Sequence, residues 1–293
     1  MAKKDFPWLR RQWVRLVCWM EFVASRHFLT AAAFGAWQRR LLRRYESSLN
    51  GEFPAQVQTA VVFLSCDEVY FEKFGIHLVR SSLKNAGDLN VHLHVNRLST
   101  RYREELERFA KAEGGGMFSF TWDDVEFEHL DGAQRWYYLA SVRFVRLYQL
   151  VQRCEVPVLS VDADGVIVKS LAPKLRELDG ADVGIYLRLT NTLDWRKVLA
   201  SALFVMPTPT GREYIRDVAL MIAWLLRGKL PYHIDQLVIY YMWQRYEQAG
   251  AGLKCVTLSQ DMADWECRDD SYVWSAKGDR KYLDAAFRRA QEA

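Results

Sequence analysis

The chain lacks what would mark a disulfide scaffold, a zinc module or an integral membrane protein. Its five cysteines, Cys18, Cys66, Cys154, Cys255 and Cys267, are odd in number, widely spaced and free of any Cys-x-x-Cys pair. Neither a disulfide framework nor a zinc site follows from that pattern, and a reducing compartment is expected. No stretch reaches the roughly 18 uncharged apolar residues of a transmembrane helix. The opening segment lacks the uninterrupted apolar core of a secretory signal, because Arg10, Arg11 and Arg15 break it up. A cytoplasmic protein, peripheral at most to the inner face of a membrane, is the expectation. Internal repeats and low-complexity tracts are absent. Acidic residues are scarce at the start: residues 1–50 hold ten Lys/Arg against Asp5, Glu21 and Glu46, a net +7. The whole chain carries only +4, so the remainder is at −3. The basic balance therefore belongs to the N-terminal segment, and nucleic acid is not an expected partner of the main body.

Half of the 293 residues are hydrophobic and 14% are aromatic, ample for one large domain or a domain with an appendage. Residues 1–54 read as a basic amphipathic helical arm. Over 7–46 two helices are expected, with Trp8, Leu9, Trp13, Leu16, Val17 and Met20 sharing one face. A second run, Phe34, Trp37, Leu41 and Leu42, stands beside Arg39, Arg40, Arg43 and Arg44. Such a surface suits peripheral contact with anionic membrane, but helical faces more often pack on protein, and a hairpin packed on the main domain is favoured. Asn50-Gly51 and Pro54 mark the boundary, leaving 55–293 as the main domain. There, strands are expected at Thr59–Ser65, Asn90–Asn96, Met117–Thr121, Pro157–Val161, Asp182–Leu187 and Ala202–Met206. Helices are expected near Val69–Lys84, Thr100–Glu113, 134–153, Leu171–Glu177, Gly211–Leu226 and Ile234–Gln248. That alternation predicts an α/β fold with a mixed, mostly parallel sheet.

Asp162-Ala163-Asp164 closes the apolar run Pro157–Val161 and precedes Gly165 and the β-branched Val166-Ile167-Val168. Two carboxylates at the carboxyl end of a strand stand where open α/β sheets bind ligands, and can grip a hard cation and, through it, phosphate oxygens. Four other clusters accompany the pair. Asp67 and Tyr70 follow the first strand, where a carboxylate and a ring could hold a base and ribose, or Asp67 could merely cap a helix. Arg143 and Arg146 lie one turn apart in the long helix before the pair, and either could fork a phosphate. Asp235 and Gln236 open a helix. Gly278 and Lys281 sit in the C-terminal segment.

In this order the clusters resemble the nucleotide-sugar glycosyltransferases of the GT-A fold, especially the family-8-like group, over roughly residues 58–283. The resemblance implies a GT-A-type sheet and transfer of a hexose-like sugar from a nucleoside-diphosphate donor to a glycan, lipid-linked or protein acceptor, with a bacterial surface context. It also implies roles. Asp67 and Tyr70 would seat the nucleoside, and Arg143 or Arg146 with Lys281 and Gly278 the diphosphate. Asp162 and Asp164 would hold Mn2+ or Mg2+, Asp162 would also bind the nucleotide sugar, and Asp235 with Gln236 would face the reacting sugar. Two positions depart from the family pattern. Ser275 stands where its metal-binding histidine belongs, and a hydroxyl is a poor transition-metal ligand beside imidazole. Ser201-Ala202 replaces an Asn-Gly near the acceptor. Alternatives remain: a non-catalytic nucleotide-sugar-binding relative, motivated by Ser275, or a haloacid-dehalogenase-like phosphatase with Asp162 as nucleophile. The latter needs a downstream acidic pair, for which only Asp269-Asp270 offers itself, and it would not be preceded by a long α/β segment.

Overall fold

The computed structural model describes residues 8–23, 31–55, 57, 59–85, 89–127, 130–228, 233–275 and 278–292. Two helices, α1 (Trp8–Val23) and α2 (Ala31–Ser47), precede the sheet. Among the described residues its eight strands are β1 (Asn50–Gly51), β2 (Val61–Asp67), β3 (Asn90–Asn96), β4 (Phe118–Asp123), β5 (Val158–Val161), β7 (Val183–Leu187), β8 (Val198–Val205) and β9 (Cys255–Thr257). A separate antiparallel pair joins β6 (Gly165–Ile167) to β10 (Val273–Ser275). The α-helices that follow among the described residues are α3 (Glu68–Tyr70), α4 (Ile76–Asn85), α5 (Thr100–Ala112), α6 (Gly132–Val151), α7 (Ala172–Glu177), α8 (Pro209–Leu225), α9 (Ile234–Gln248), α10 (Arg280–Leu283) and α11 (Ala285–Glu292).

The sheet order is β1-β4-β3-β2-β5-β8-β7-β9. Strands β4, β3, β2 and β5 run parallel, while β8 lies antiparallel to both β5 and β7. The chain winds outward from β2 to β3 and β4, then returns through α6 to place β5 on the other side of β2. The order therefore reverses between β2 and β5, and at such a switch point the loops leaving neighbouring strands diverge and open a crevice. Asp67 ends one of these strands and Asp162 follows the other.

The expected mixed, mostly parallel sheet is present, and β3 and α9 match their expected bounds. The first helix differs. Between α3 and α4 the chain makes a π-helical turn, Phe71–Gly75. A Cβ on Gly75 would stand 2.7 Å from a ring carbon of Phe71, so the turn packs at glycine distance. Strand β3 also differs from its pattern. Val91, Leu93 and Val95 alternate with His92 and His94, yet all seven residues are buried. One face meets the α4–α5 side; the other lies beneath α6, where the histidines find polar partners on β4.

Apolar clusters fill both faces of the sheet, and Val14, Val17, Cys18, Leu41, Leu42 and Tyr45 belong to the same cluster as α6, α8 and α9. Each fully buried Val or Leu contributes about 1.5–3 kcal/mol, so this face docks α1 and α2 firmly. The docked face is not the expected one. Of that set Val17 is buried, but Trp13, Leu16 and Met20 are exposed at 45%, 49% and 45%; the side chains of Trp8, Leu9 and Phe34 lie outside the described residues.

Candidate functional site

The site begins at the end of β2. Asp67 caps α3, its Oδ1 accepting the Tyr70 backbone N–H at 2.8 Å, as a capping aspartate does. Its second oxygen accepts from Arg135 Nη2 at 3.0 Å. The cap turns Tyr70 toward β5, where its hydroxyl donates to Asp164 Oδ2 at 2.7 Å. Burial, then the Asp164 charge, push the Tyr70 phenol well above its ordinary range, so it remains a donor. Lys281 Nζ donates to the same hydroxyl at 2.8 Å and to Asp164 Oδ2 at 3.2 Å. Asp67, Tyr70, Asp164 and Lys281, drawn from three parts of the sequence, are thus brought together.

The second half centres on Arg143. One guanidinium nitrogen bonds Asp162 Oδ1; the other donates to the Ala200 carbonyl at 3.0 Å and reaches Asp235 Oδ2 at 3.4 Å. Burial works against the arginine's charge, but Asp162 and Asp235 outweigh it and hold its pKa above the ordinary value. For Asp235 burial wins: its pKa is raised, with Arg143 only partly offsetting the loss of water. The turn between the two aspartates is tight. Gly165 N–H donates to the Asp162 carbonyl at 2.8 Å, and a Cβ on Gly165 would lie 3.0 Å from Val161 Cγ1 and 3.1 Å from that carbonyl oxygen.

Other expected site residues are placed differently. Arg146 is buried away from the aspartate pair, with its guanidinium on Asp123, the Tyr45 carbonyl and Gln149. It closes a polar ladder beneath the crevice in which His94 meets Asp123 at 3.2 Å and Thr121 at 3.0 Å. Gln236 is also committed: its amide donates to the carbonyls of Val198 (2.6 Å) and Trp195 (2.7 Å) and accepts from His233 Nδ1 (2.8 Å). The His233 ring stacks on Trp195 with centroids 4.6 Å apart, and its backbone is left-handed at φ 55°. Gln236 therefore holds the entry to α9 and the 195–198 segment, while Asp235 beside it turns to Arg143. Gly278 is exposed with φ 60°, a conformation glycine adopts without strain; Ala276 and Lys277 lie outside the described residues. Asp269 and Asp270 are exposed in the C-terminal segment, with Asp270 facing Arg268.

Sequence reasoning missed a further feature. A cavity of about 510 Å³ opens at the ends of β2 and β3, lined by Asp67, Glu68, Asn96, Arg97, Ser99, Asp124, Glu126, Phe127 and Arg135, among others. Asn96 pairs in register with Asp67 and donates to Ser65 Oγ and the Cys66 carbonyl. Its buried side-chain oxygen has no partner among the described residues. Arg97 is held at φ 59°, a strained conformation of the kind that collects at ligand sites. Extending the strand-end rule from β2 and β5 to β3 would have found Asn96. Arg135 carried no local signal, since its partner Asp67 is 68 positions away.

The expected Mn2+ or Mg2+ at Asp162 and Asp164 can be tested against these groups. Each carboxylate faces a protein cation, Asp162 the guanidinium of Arg143 and Asp164 the ammonium of Lys281. Ser275 pairs in register with Gly165, and its buried hydroxyl is without a partner among the described residues. Among those residues no group of three His, Cys, Asp or Glu side chains could hold a metal ion. Oxygen donors of this kind suit a hard cation such as Mg2+ or Mn2+ rather than a softer metal, and such a cation would compete with Arg143 and Lys281 for the two carboxylates.

The chain has a GT-A-type α/β fold with an N-terminal helical region. No family model matches the chain, and no curated protein matches it in sequence. Among solved structures it is similar to the glycosyltransferase GlyE of Streptococcus pneumoniae TIGR4, at 10% identity and a TM-score of 0.54, over 81% of this chain and 61% of GlyE. It is also similar to the bifunctional glycosyltransferase WbbM, at 13% identity and a TM-score of 0.53, over 83% of this chain and 51% of WbbM. A third likeness is to the galactosyltransferase LgtC in complex with donor and acceptor sugar analogues, at 14% identity and a TM-score of 0.53, over 80% of this chain and 95% of LgtC. The chain thus spans about three fifths of GlyE and half of WbbM. At such identities the likeness establishes the fold.

Proposed function

We propose that the protein is a glycosyltransferase that moves a hexose-like sugar from a nucleoside-diphosphate donor to a glycan, lipid-linked or protein acceptor. The observation that carries this reading is continuity. A cavity of nucleoside size at the β2–β3 edge is joined, through Asp67, Tyr70 and Asp164, to a cluster of charged groups at the β2–β5 switch point. The solved structures of similar fold are glycosyltransferases by name.

In this reading the base enters beside Asn96, and Arg135 and Asp67 hold the ribose. Lys281 and Arg143 stand at the diphosphate. As the glycosidic bond breaks, negative charge grows on the leaving diphosphate, and cations fixed there stabilise it without reorganising. Asp235, which burial inclines toward the protonated form, faces the sugar. Gln236 acts as a positioning residue, through its hold on the 195–198 backbone. The phosphatase reading finds less support, since Asp162 is engaged by Arg143 and the Asp269-Asp270 pair is exposed in the C-terminal segment.

The test is a panel of nucleotide sugars, each with chelator and with added Mg2+ or Mn2+, scored for donor hydrolysis and transfer by wild type and Asp164→Asn. Release of nucleoside diphosphate from one donor, reduced at least tenfold by the substitution, is expected. Equal turnover in both proteins would remove the site. Donor binding without release would mark a non-catalytic relative, and aryl-phosphate cleavage would mark the phosphatase.

A further inference from the structure

Helix α1 has two apolar faces. One, with Val14, Val17 and Cys18, is buried against the body of the protein. The other presents Trp13, Leu16, Trp19 and Met20, exposed at 45%, 49%, 44% and 45%. Positions 13, 16, 19 and 20 fall on one side of a helix with 3.6 residues per turn, so the four make a single stripe. The Trp13 ring stacks on the half-buried Trp224 of α8, with centroids 5.3 Å apart, which extends the stripe onto the body. Large side chains of this kind normally go inside, and an apolar patch left outside marks an interaction surface.

The surrounding charge selects the partner. Arg227 is exposed at the end of α8, three residues past Trp224. Arg15 of α1 lies near Arg245 of α9; burial first, and then the Arg15 charge, lower the Arg245 pKa below its ordinary value. Two guanidinium groups in mutual repulsion beside an apolar stripe gain from an anionic partner. Helix α2, which packs on α8 as α1 does, exposes Arg39, Arg40, Arg43 and Arg44. In sequence, α1 carries one carboxylate, Glu21, and α2 one, Glu46. Tryptophan and leucine among arginines suit the boundary between headgroups and acyl chains, where indole rings concentrate and guanidinium groups meet lipid phosphate. No helix among the described residues is long and apolar enough to cross a membrane.

We infer that the exposed stripe Trp13, Leu16, Trp19 and Met20 of α1 is a monotopic docking surface for anionic lipid bilayer. It would hold the site described above near a lipid-linked or membrane-proximal acceptor. That consequence rests on the proposed transferase activity; the docking does not.

The experiment is sedimentation of the full chain with vesicles of phosphatidylcholine alone or mixed equally with phosphatidylglycerol, at low and high salt. Three proteins are compared: wild type, Leu16→Ser/Trp19→Ser/Met20→Ser, which leaves the Trp13–Trp224 stack intact, and Arg40→Glu/Arg43→Glu. Wild type is expected to bind the anionic vesicles, at least tenfold more weakly in high salt. Both variants should lose at least tenfold in partitioning while keeping the wild-type thermal transition. Equal binding by wild type and the triple variant overturns the proposal, as does salt-independent binding to neutral vesicles. Absence of vesicle binding, with a wild-type dimer in sedimentation velocity that the triple variant lacks, also overturns it and assigns the stripe to a second copy of the chain. Donor binding measured on the same variants should be unchanged, so the docking can fail while the transferase reading stands.

Discussion

Replacing Arg143 with methionine tests the electrostatic centre of the site. The substitution keeps much of the length of the side chain and removes the charge that two carboxylates share. Asp235 is almost wholly buried, its side chain 8% exposed, and that of Asp162 is 21% exposed. Removing one partner of a buried ion pair costs about 3–5 kcal/mol, because the other charge is left uncompensated. Asp162 keeps some water, so the lower end of that range is expected at neutral pH. The loss should depend on pH. Burial already raises the Asp235 pKa, and Arg143 is the largest influence that lowers it, so the variant raises it further. A carboxyl whose folded pKa lies above its unfolded value binds more protons when folded, and its folded state gains stability as pH falls. The penalty of Arg143→Met is therefore largest near pH 8 and shrinks toward pH 5. Urea unfolding at both values, with the slope m unchanged, reads it directly. Adding Asp235→Asn should recover part of the loss, with a coupling of about 0.5–3 kcal/mol. A loss below about 1 kcal/mol, or one identical at the two pH values, would refute the assignment of Arg143 as the shared counter-charge.

Three further outcomes follow from the same geometry. Burial holds His92 down at about 3 and His94 at about 4. Both are neutral when folded, but an unfolded chain protonates them near 6.5, so their contribution is complete above that pH and is lost as pH falls through the window toward 4. Between pH 8 and pH 5 the two together should cost about 4 kcal/mol, at 1.36 kcal/mol per pH unit each below 6.5; a flat stability profile over that range would contradict their burial. Gly165→Ala should destabilise by about 1–3 kcal/mol through overpacking, because its Cβ meets Val161 and the Asp162 carbonyl at 3.0 and 3.1 Å; unaltered unfolding would show that the turn relaxes freely. Lys281→Met removes the counter-charge of Asp164, the two side chains being only 15% and 16% exposed, so it should cost about 3 kcal/mol of stability and weaken donor binding at least tenfold. A large stability loss with unchanged donor affinity would make Lys281 structural.

The fold was readable because its strands are apolar runs punctuated by turn residues and separated by helical patterns. Local signals also placed Asp67 and Asp162, since strand ends in an α/β sheet are where ligands gather. What local sequence could not resolve was direction. Arg143 and Arg146 sit one turn apart, and only the packed structure shows that Arg143 turns to Asp162 while Arg146 serves the ladder under the crevice. Gln236 had the same ambiguity, decided by carbonyls of a segment some forty residues earlier. The short strands β6, β9 and β10 were missed because three residues show no periodicity; their pairing is set by partners about seventy to a hundred residues away. The outward apolar stripe of α1 was blurred with its buried face because both are rich in large side chains, and only docking separates them.

A crystal soaked with a nucleoside diphosphate tests the central claim most directly. The account predicts the base in the cavity beside Asn96 and Arg135, with the diphosphate within hydrogen-bonding distance of Lys281 and of the Arg143 side of the Asp162–Asp164 turn. A nucleotide bound elsewhere, or none at saturating concentration in a crystal whose cavity is open to solvent, would contradict it.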